Sequence, residues 1–297
     1  MSRASALPFM LLCSMAAGCG GGSGTPCSRD EECPSKFCRA DGTCGPAEVD
    51  AAVGDGGPDA PSGVCTPNHD GAITLGELPL IAGRMATFRV ATNATFDTAG
   101  TATGTGMRHW DLGGALGNDA DRPITLLAPT GTWWAATFPT ATYAAPLSAS
   151  SDLLGVFHVD VAAVTLLGVV SPQAGSLRTE LTYDPPATIL VLPLLAGGTW
   201  TTTSTVSGTA QGVIVAYTEE YASLVDQVGT LQTPYGEFPV VRAATDLTRT
   251  SGFTTLLTKR TFAWVAECFG SVATVSSQDF ESSAEFNDPA EVRRLAP

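Results

Sequence analysis

Two places in the chain combine residue types and spacings that could do chemistry. The first runs from Thr66 to Glu77, TPNHDGAITLGE. Side-chain oxygens at Asn68, Asp70, Thr74 and Glu77 recur around Gly71, which allows a sharp turn; this is how oxygen donors wrap a hard cation such as calcium. The second is His158 and Asp160. Two residues apart on a strand they share one face, and the carboxylate could orient the imidazole for acid–base work. Reactive groups are otherwise scarce. The three His residues are His69, His109 and His158, and neither HExxH nor GxSxG occurs. No glycine-rich phosphate loop lies between a strand and a helix.

The first stretch resembles an EF-hand loop when Gly71 is placed sixth. Thr66 then stands where the family has Asp, so only Asp70 and Glu77 bring charge. Pro58, Pro61 and Pro67 forbid the entering helix and Pro79 the exiting one. A helix–loop–helix is excluded. Asp70-Gly71 is expected to turn the chain into a strand that starts at AITL. Weak calcium binding at Asn68, Asp70, Thr74 and Glu77 is the alternative, and no other cofactor is expected. Three further groups read as scaffold. Asn118-Asp119-Ala120-Asp121 is a solvated loop and Asp184-Pro185-Pro186 a loop. Trp133 and Trp134, adjacent on a strand, point to opposite faces, one buried and one exposed.

The elements that must hold these residues follow from composition. In 297 residues, 44% are hydrophobic and 15% charged, enough apolar material for a core. The net charge of −14 repels phosphate backbones, so nucleic acid is not an expected partner. No basic amphipathic helix is present to lie on an anionic membrane. The chain opens MSRASALPFMLLCSMAAGC, with Arg3 before a short apolar run, Ala6 to Ala17, that cannot span a bilayer. The AAGC ending at Cys19 resembles the lipobox of bacterial lipoproteins, with Ala16 where that family usually has Leu. The resemblance implies a signal peptide over 1–18, cleavage before Cys19 and a lipid on its thiol. Its implied setting is the bacterial envelope, on the periplasmic side of the outer membrane or the cell surface. A plain secretory signal cut at the same place is the alternative.

Cysteine use agrees with export. Once Cys13 and Cys19 are set aside, Cys27, Cys33, Cys38, Cys44, Cys65 and Cys268 remain, an even set for an oxidising compartment. Residues 19–26 form a Gly-rich tether. Residues 27–45 space four Cys as C-x5-C-x4-C-x5-C, too short for a core and lacking the close pairs and His of a zinc site. Disulfides hold this module, with three connectivities open. The pattern resembles the Dickkopf-type cysteine-rich modules of exported myxobacterial proteins. Residues 46–64 are an acidic Pro/Gly linker without fixed structure. With four Cys consumed in the module, Cys65 and Cys268 are left for each other.

From residue 65 to 297 the fold class read is all-β: one large antiparallel domain, built as a curved sheet, half-barrel or sandwich. Strands are expected at 84–91, 132–138, 153–161, 176–184, 188–195, 199–209, 213–221, 238–250, 256–270 and 271–280, from β-branched and aromatic runs between Gly, Pro and Asp. In SLRTELTYD, Leu177, Thr179, Leu181 and Tyr183 alternate with Arg178, Glu180 and Thr182. EEYASLVDQVG is open to a short helical turn. The apolar stretch 152–170 carries Asp152, His158 and Asp160 and reads as two buried strands, not a membrane span.

Within the C-terminal hundred residues, Trp200 and the stretches TLQTPYGEFPVVRA and RTFAWVAECFGSVATV are similar in rhythm to periplasmic β-sheet lipoproteins of the LolA/LppX and DUF3108-like kind, with Gly236, Phe238 and Arg242 in step. That likeness implies an open, half-closed barrel that carries or senses apolar ligands without catalysis. The function expected is therefore a non-catalytic lipoprotein that meets the membrane through its N-terminal lipid and binds a protein or apolar ligand. The alternative is a hydrolase displayed on the same anchor, which needs carboxylates or His converging in a cleft.

Overall fold

The computed structural model describes residues 65–104 and 106–297, all within the second of two compact units, Val64–Pro297. The signal peptide, tether, cysteine-rich module and linker expected before it lie outside the described residues. So do Cys19, Cys27, Cys33, Cys38 and Cys44.

Among the described residues sixteen strands follow one another: β1 (Ala72–Ile73), β2 (Met85–Thr92), β3 (Thr101–Ala102), β4 (Arg108–Asp111), β5 (Ala120–Thr125), β6 (Tyr143–Pro146), β7 (Leu154–Val159) and β8 (Ala163–Val170), then β9 (Glu180–Val191), β10 (Leu194–Leu195), β11 (Thr199–Ala210), β12 (Val213–Gln232), β13 (Glu237–Ser251), β14 (Thr254–Ala266), β15 (Gly270–Ser276) and β16 (Glu291–Ala296). Fourteen of them form one sheet, in the order β5-β2-β16-β15-β14-β13-β12-β11-β9-β8-β7-β6, with β4 and β3 added on β12. Neighbours along the path run antiparallel; β4 joins β12 in parallel. The two ends of the path meet where Leu127 and Ala144 exchange backbone hydrogen bonds of 2.8 and 2.9 Å. The sheet thus curls into a nearly closed, barrel-like ring, which leaves little free strand edge.

Local sequence explains most of the wall. The 152–170 stretch forms β7 and β8 as a hairpin, with Asp160 accepting from the amides of Ala162 and Ala163 in its turn. EEYASLVDQVG is not helical: it lies inside the 20-residue β12, which pairs with β11 on one side and β13 on the other. Good helix formers there lose to two ladders of backbone hydrogen bonds. Asp184-Pro185-Pro186 is not a loop but part of β9. Opposite Leu166 and Gly168 of β8 stand Ala187 and Thr182, so the prolines occupy a bulge, where no ladder amide is needed. Residues 132–138 form consecutive turns instead of a strand, with the amides of Thr137 and Phe138 bonded to Trp134 O. Turn chemistry brackets them, Pro129 and Gly131 before and Pro139 after. Of the two tryptophans, Trp134 is fully buried and Trp133 half-buried, but they are not strand neighbours on opposite faces.

The wall has two clothed faces. On the outer face of β13 to β16 the segments 94–112 and Phe286 cover an aromatic core of Trp110, Trp264, Phe262 and Phe96, with Trp110 and Trp264 edge to face at 5.5 Å. Here β4 approaches so closely that a Cβ on Gly229 would sit 1.8 Å from Arg108 O. Farther round, Trp134 and Phe138 cover Val156 and Val170. A Cβ on Gly168 would strike the Phe138 ring at 2.3 Å, so the glycine makes that cover possible. Alternation along the strands then sends the other set of side chains inward.

Candidate functional site

The inward set lines a cavity of about 1090 Å³ inside the ring. That is just above the usual range for small-molecule sites, roughly 300–1,000 Å³. Leu166, Val169, Leu181, Tyr183, Phe157 and Leu247 are among its apolar walls.

One end is stoppered by the first described residues. The segment from Cys65 crosses from the β14–β15 turn to the β9–β11 connection. At the first of these, Cys65 is disulfide-bonded to Cys268 with Cα atoms 5.5 Å apart, and Cys268 N donates to Glu77 O at 2.8 Å. At the second, β1 pairs with β10. Between them Ile73 and Leu78 pack with Val225, Val241 and Val265, and Leu78 and Leu80 border the cavity. The bond closes a separation of 203 residues, for which the chain-entropy model gives about 5 kcal/mol.

This is also where the calcium-like stretch sits. Asp70 Oδ1 accepts from Ala72 N at 2.9 Å, and Asn68 Oδ1 from Asp70 N at 3.0 Å, so Asp70-Gly71 makes the expected turn into β1. Glu77 Oε2 accepts from both the amide and the hydroxyl of Thr74 at 2.8 Å, capping a single 3-10 turn, Leu75–Glu77. Thr74 and Glu77 bond each other, as do Asn68 and Asp70. Among the described residues no three His, Cys, Asp or Glu side chains group as metal ligands.

The other end of the lumen is charged. Glu219 on β12 is fully buried; its Oε1 takes Arg249 Nε at 2.7 Å and its Oε2 takes the Tyr221 hydroxyl at 2.6 Å. The Arg249 guanidinium also lies 4.6 Å from the Tyr217 ring centroid. Burial is the largest influence on Arg249 and pulls it down, but the charge and hydrogen bond of Glu219 together with Tyr217 and Tyr183 outweigh it, and the net shift is upward. Burial raises the phenols of Tyr143, Tyr183, Tyr217 and Tyr221 above the ordinary tyrosine range, aided at the last three by the Glu219 charge. On β16, Glu291 and Arg293 form a close ion pair. They also hold the β6–β7 loop, for Arg293 Nη1 donates to Pro146 O at 3.1 Å and Ala149 N to Glu291 Oε2 at 2.7 Å.

The remaining residues singled out by sequence are scaffold. His158 Nδ1 lies 2.7 Å from Thr140 O and Nε2 3.8 Å from Asp160 Oδ2, as the shared face requires, and neither residue borders the cavity. The two turn amides, more than the imidazole, hold the Asp160 carboxyl below its usual range. Asn118-Asp119-Ala120-Asp121 is not a solvated loop. Ala120 and Asp121 open β5, and both Asp119 oxygens bind buried Arg294, at 2.9 and 2.7 Å. Arg242 is buried under the outer cover, held by Asp226, Glu285 and Thr98 O and lying 4.1 Å from the Phe262 centroid. The lumen charges were missed by sequence reading because Glu219 and Arg249 look like the polar face of a strand. Their signal was the register: 30 residues apart, they face each other on β12 and β13.

No protein-family model matches the chain, and neither a curated protein nor a solved structure is significantly similar to it.

Proposed function

We propose that this is a non-catalytic, lipid-anchored envelope protein whose β domain holds a ligand with a large apolar part inside its ring. The observation that carries the reading is the lumen itself, about 1090 Å³ walled largely by Leu, Val, Phe and Tyr. A largely apolar cavity is a better place for hydrocarbon than for water. The two carboxylates that border it are each committed to an arginine, Glu219 to Arg249 and Glu291 to Arg293, and neither is set up as a free acid or base. The anchor rests on AAGC at Cys19, and the carrier role draws further support from the resemblance of the C-terminal third to periplasmic β-sheet lipoproteins.

Mass spectrometry of the protein purified from membranes in mild detergent tests both parts. The expected result is an N-terminus at Cys19 with added acyl mass, and a co-purifying amphiphile released only on unfolding. A mature chain with an unmodified Cys19 in the soluble fraction would overturn the anchor. A lumen that neither retains nor takes up any hydrocarbon-bearing molecule would overturn the carrier.

A further inference from the structure

We infer that the charged end of the lumen is a head-group site, and that its ligand is a long-chain amphiphile with a single negative charge, a fatty-acyl carboxylate. The inference rests on the carrier reading and adds the polarity and orientation of the ligand.

The first observation is an orphaned donor. Arg293 Nη2 is buried and has no hydrogen-bond partner among the described residues, while its Nε and Nη1 are used by Glu291 and Pro146 O. A buried guanidinium N–H without an acceptor is costly, and arginine is built to present paired donors to an oxyanion. Arg293 borders the cavity, as do Ser148 and Ser150 of the loop that it holds.

The second is the charge inventory. At this end the cavity is bordered by Arg249, Lys259 and Arg293 against Glu219 and Glu291. The register keeps them together. Arg249 faces Glu219, Lys259 follows two residues from the Leu257 that Arg249 faces on β14, and Thr261 beyond it faces Ser276, which faces Glu291. The cation left over is Lys259. Its own partner, Asp279, is mostly in solvent at 58% exposure, where water screens the pair. In a chain of net charge −14, this end of the lining thus carries one more cation than carboxylate, and Arg84, just before β2, adds another cation to the lining away from this cluster.

The third is polarity along the axis. The opposite end is the apolar stopper of Ile73, Leu78, Val225 and Val241. An amphiphile therefore lies with its tail toward the disulfide-pinned stopper and its carboxylate toward Arg293.

The test uses the full mature chain stripped of bound lipid, with palmitate, methyl palmitate and hexadecanol as probes, each competing with a fluorescent alkyl-chain reporter. Wild type is expected to prefer palmitate to the two uncharged probes by about tenfold, one charge-assisted contact's worth. Arg293→Met is expected to lose that preference while holding methyl palmitate as before. Arg293→Lys, which keeps the charge but not the fork, falls between, and guards against a fold defect in the first variant. Equal binding of all three probes by wild type, or an unchanged palmitate preference in Arg293→Met, would overturn the head-group assignment and leave the carrier reading intact. Failure of every probe and the reporter to bind would sink the carrier reading, and this inference with it.

Discussion

Arg293 and Arg294 are chain neighbours on β16 and inhabit opposite faces of one wall. Arg294 points outward, is fully buried, and spends its donors on Leu112 O, Gly114 O and both Asp119 oxygens. Arg293 points inward and keeps a buried nitrogen with no partner among the described residues. Arg242 repeats the outer pattern on β13, with Asp226, Glu285 and a carbonyl around it; burial lowers its proton affinity, and the two carboxylates more than reverse that. The outer face uses arginine as a staple that ties covering loops to the wall. On the inner face Arg249 is paired with Glu219, whereas Arg293 keeps one nitrogen without a partner among the described residues. A buried polar group left without a partner is costly, so the Arg293 nitrogen, like Trp264 Nε1 in the outer aromatic core, calls for an explanation, and at Arg293 a ligand is the one proposed.

The sharpest way to break this contrast is to remove the outer staple. Arg294→Met leaves Asp119 with only the Leu116 amide, and strips buried Leu112 O and the more exposed Gly114 O of their arginine donors. Stranding one partner of a buried pair costs about 3–5 kcal/mol. The urea midpoint should fall accordingly, with no change in its slope. A loss under about 1 kcal/mol would mean the outer arginines are ornamental and the contrast is empty.

How much of this was legible beforehand divides along the same line. The wall strands announced themselves as runs of strand-forming residues between Gly, Pro and Asp, as at 84–91 and 199–209, and the pairing of Cys65 with Cys268 followed from counting. Strands β4, β5, β6 and β16 went unread, being four to six residues long and carrying Arg, Asp or Pro among few β-formers. The turns at 132–138 passed for a strand because Thr, Trp and Phe favour strands locally, and only the flanking Pro and Gly spoke against it. What no local pattern could reveal was closure: the Leu127–Ala144 bridge converts one face of a sheet into the inside of a vessel. Until then Glu291 and Arg293 look the same as any solvated pair on an alternating strand.

A second prediction sharpens the inner half. Tyr143, Tyr183, Tyr217 and Tyr221 all border the lumen, and all have phenols held above the ordinary value, first by burial. In the unfolded chain a tyrosine ionises near pH 10. Above that pH the unfolded state has released a proton that the folded state retains, so the stabilisation is complete below about pH 10. It is lost as pH rises toward the folded-state value. Each such tyrosine should remove about 1.4 kcal/mol per pH unit in that window. Phenolate absorbance followed with and without urea checks this. Four lumen tyrosines that ionise normally while the protein is folded would mean the lumen is wet.

The smallest effect is the most discriminating, because it asks the two faces to answer one question differently. Neutralise each ion pair with close isosteres: Arg293→Met with Glu291→Gln inside, Arg294→Met with Asp119→Asn outside. Removing both members of a buried pair abolishes the desolvation cost along with the attraction, and is often neutral or stabilising. Inside, the orphaned Nη2 disappears, and the carboxamide oxygen introduced by Glu291→Gln still accepts from Ala149 N. The bond to Pro146 O is the one clear loss, at about 1 kcal/mol. The net change should lie within about 1 kcal/mol of wild type. Outside, buried Leu112 O loses its arginine donor whatever stands at residue 119. A stranded carbonyl costs about 1–3 kcal/mol, so the outer double variant should remain clearly destabilised. Equal losses from the two double variants would show that Arg293 is a staple like its neighbour, and its unpaired nitrogen would then no longer speak for a ligand.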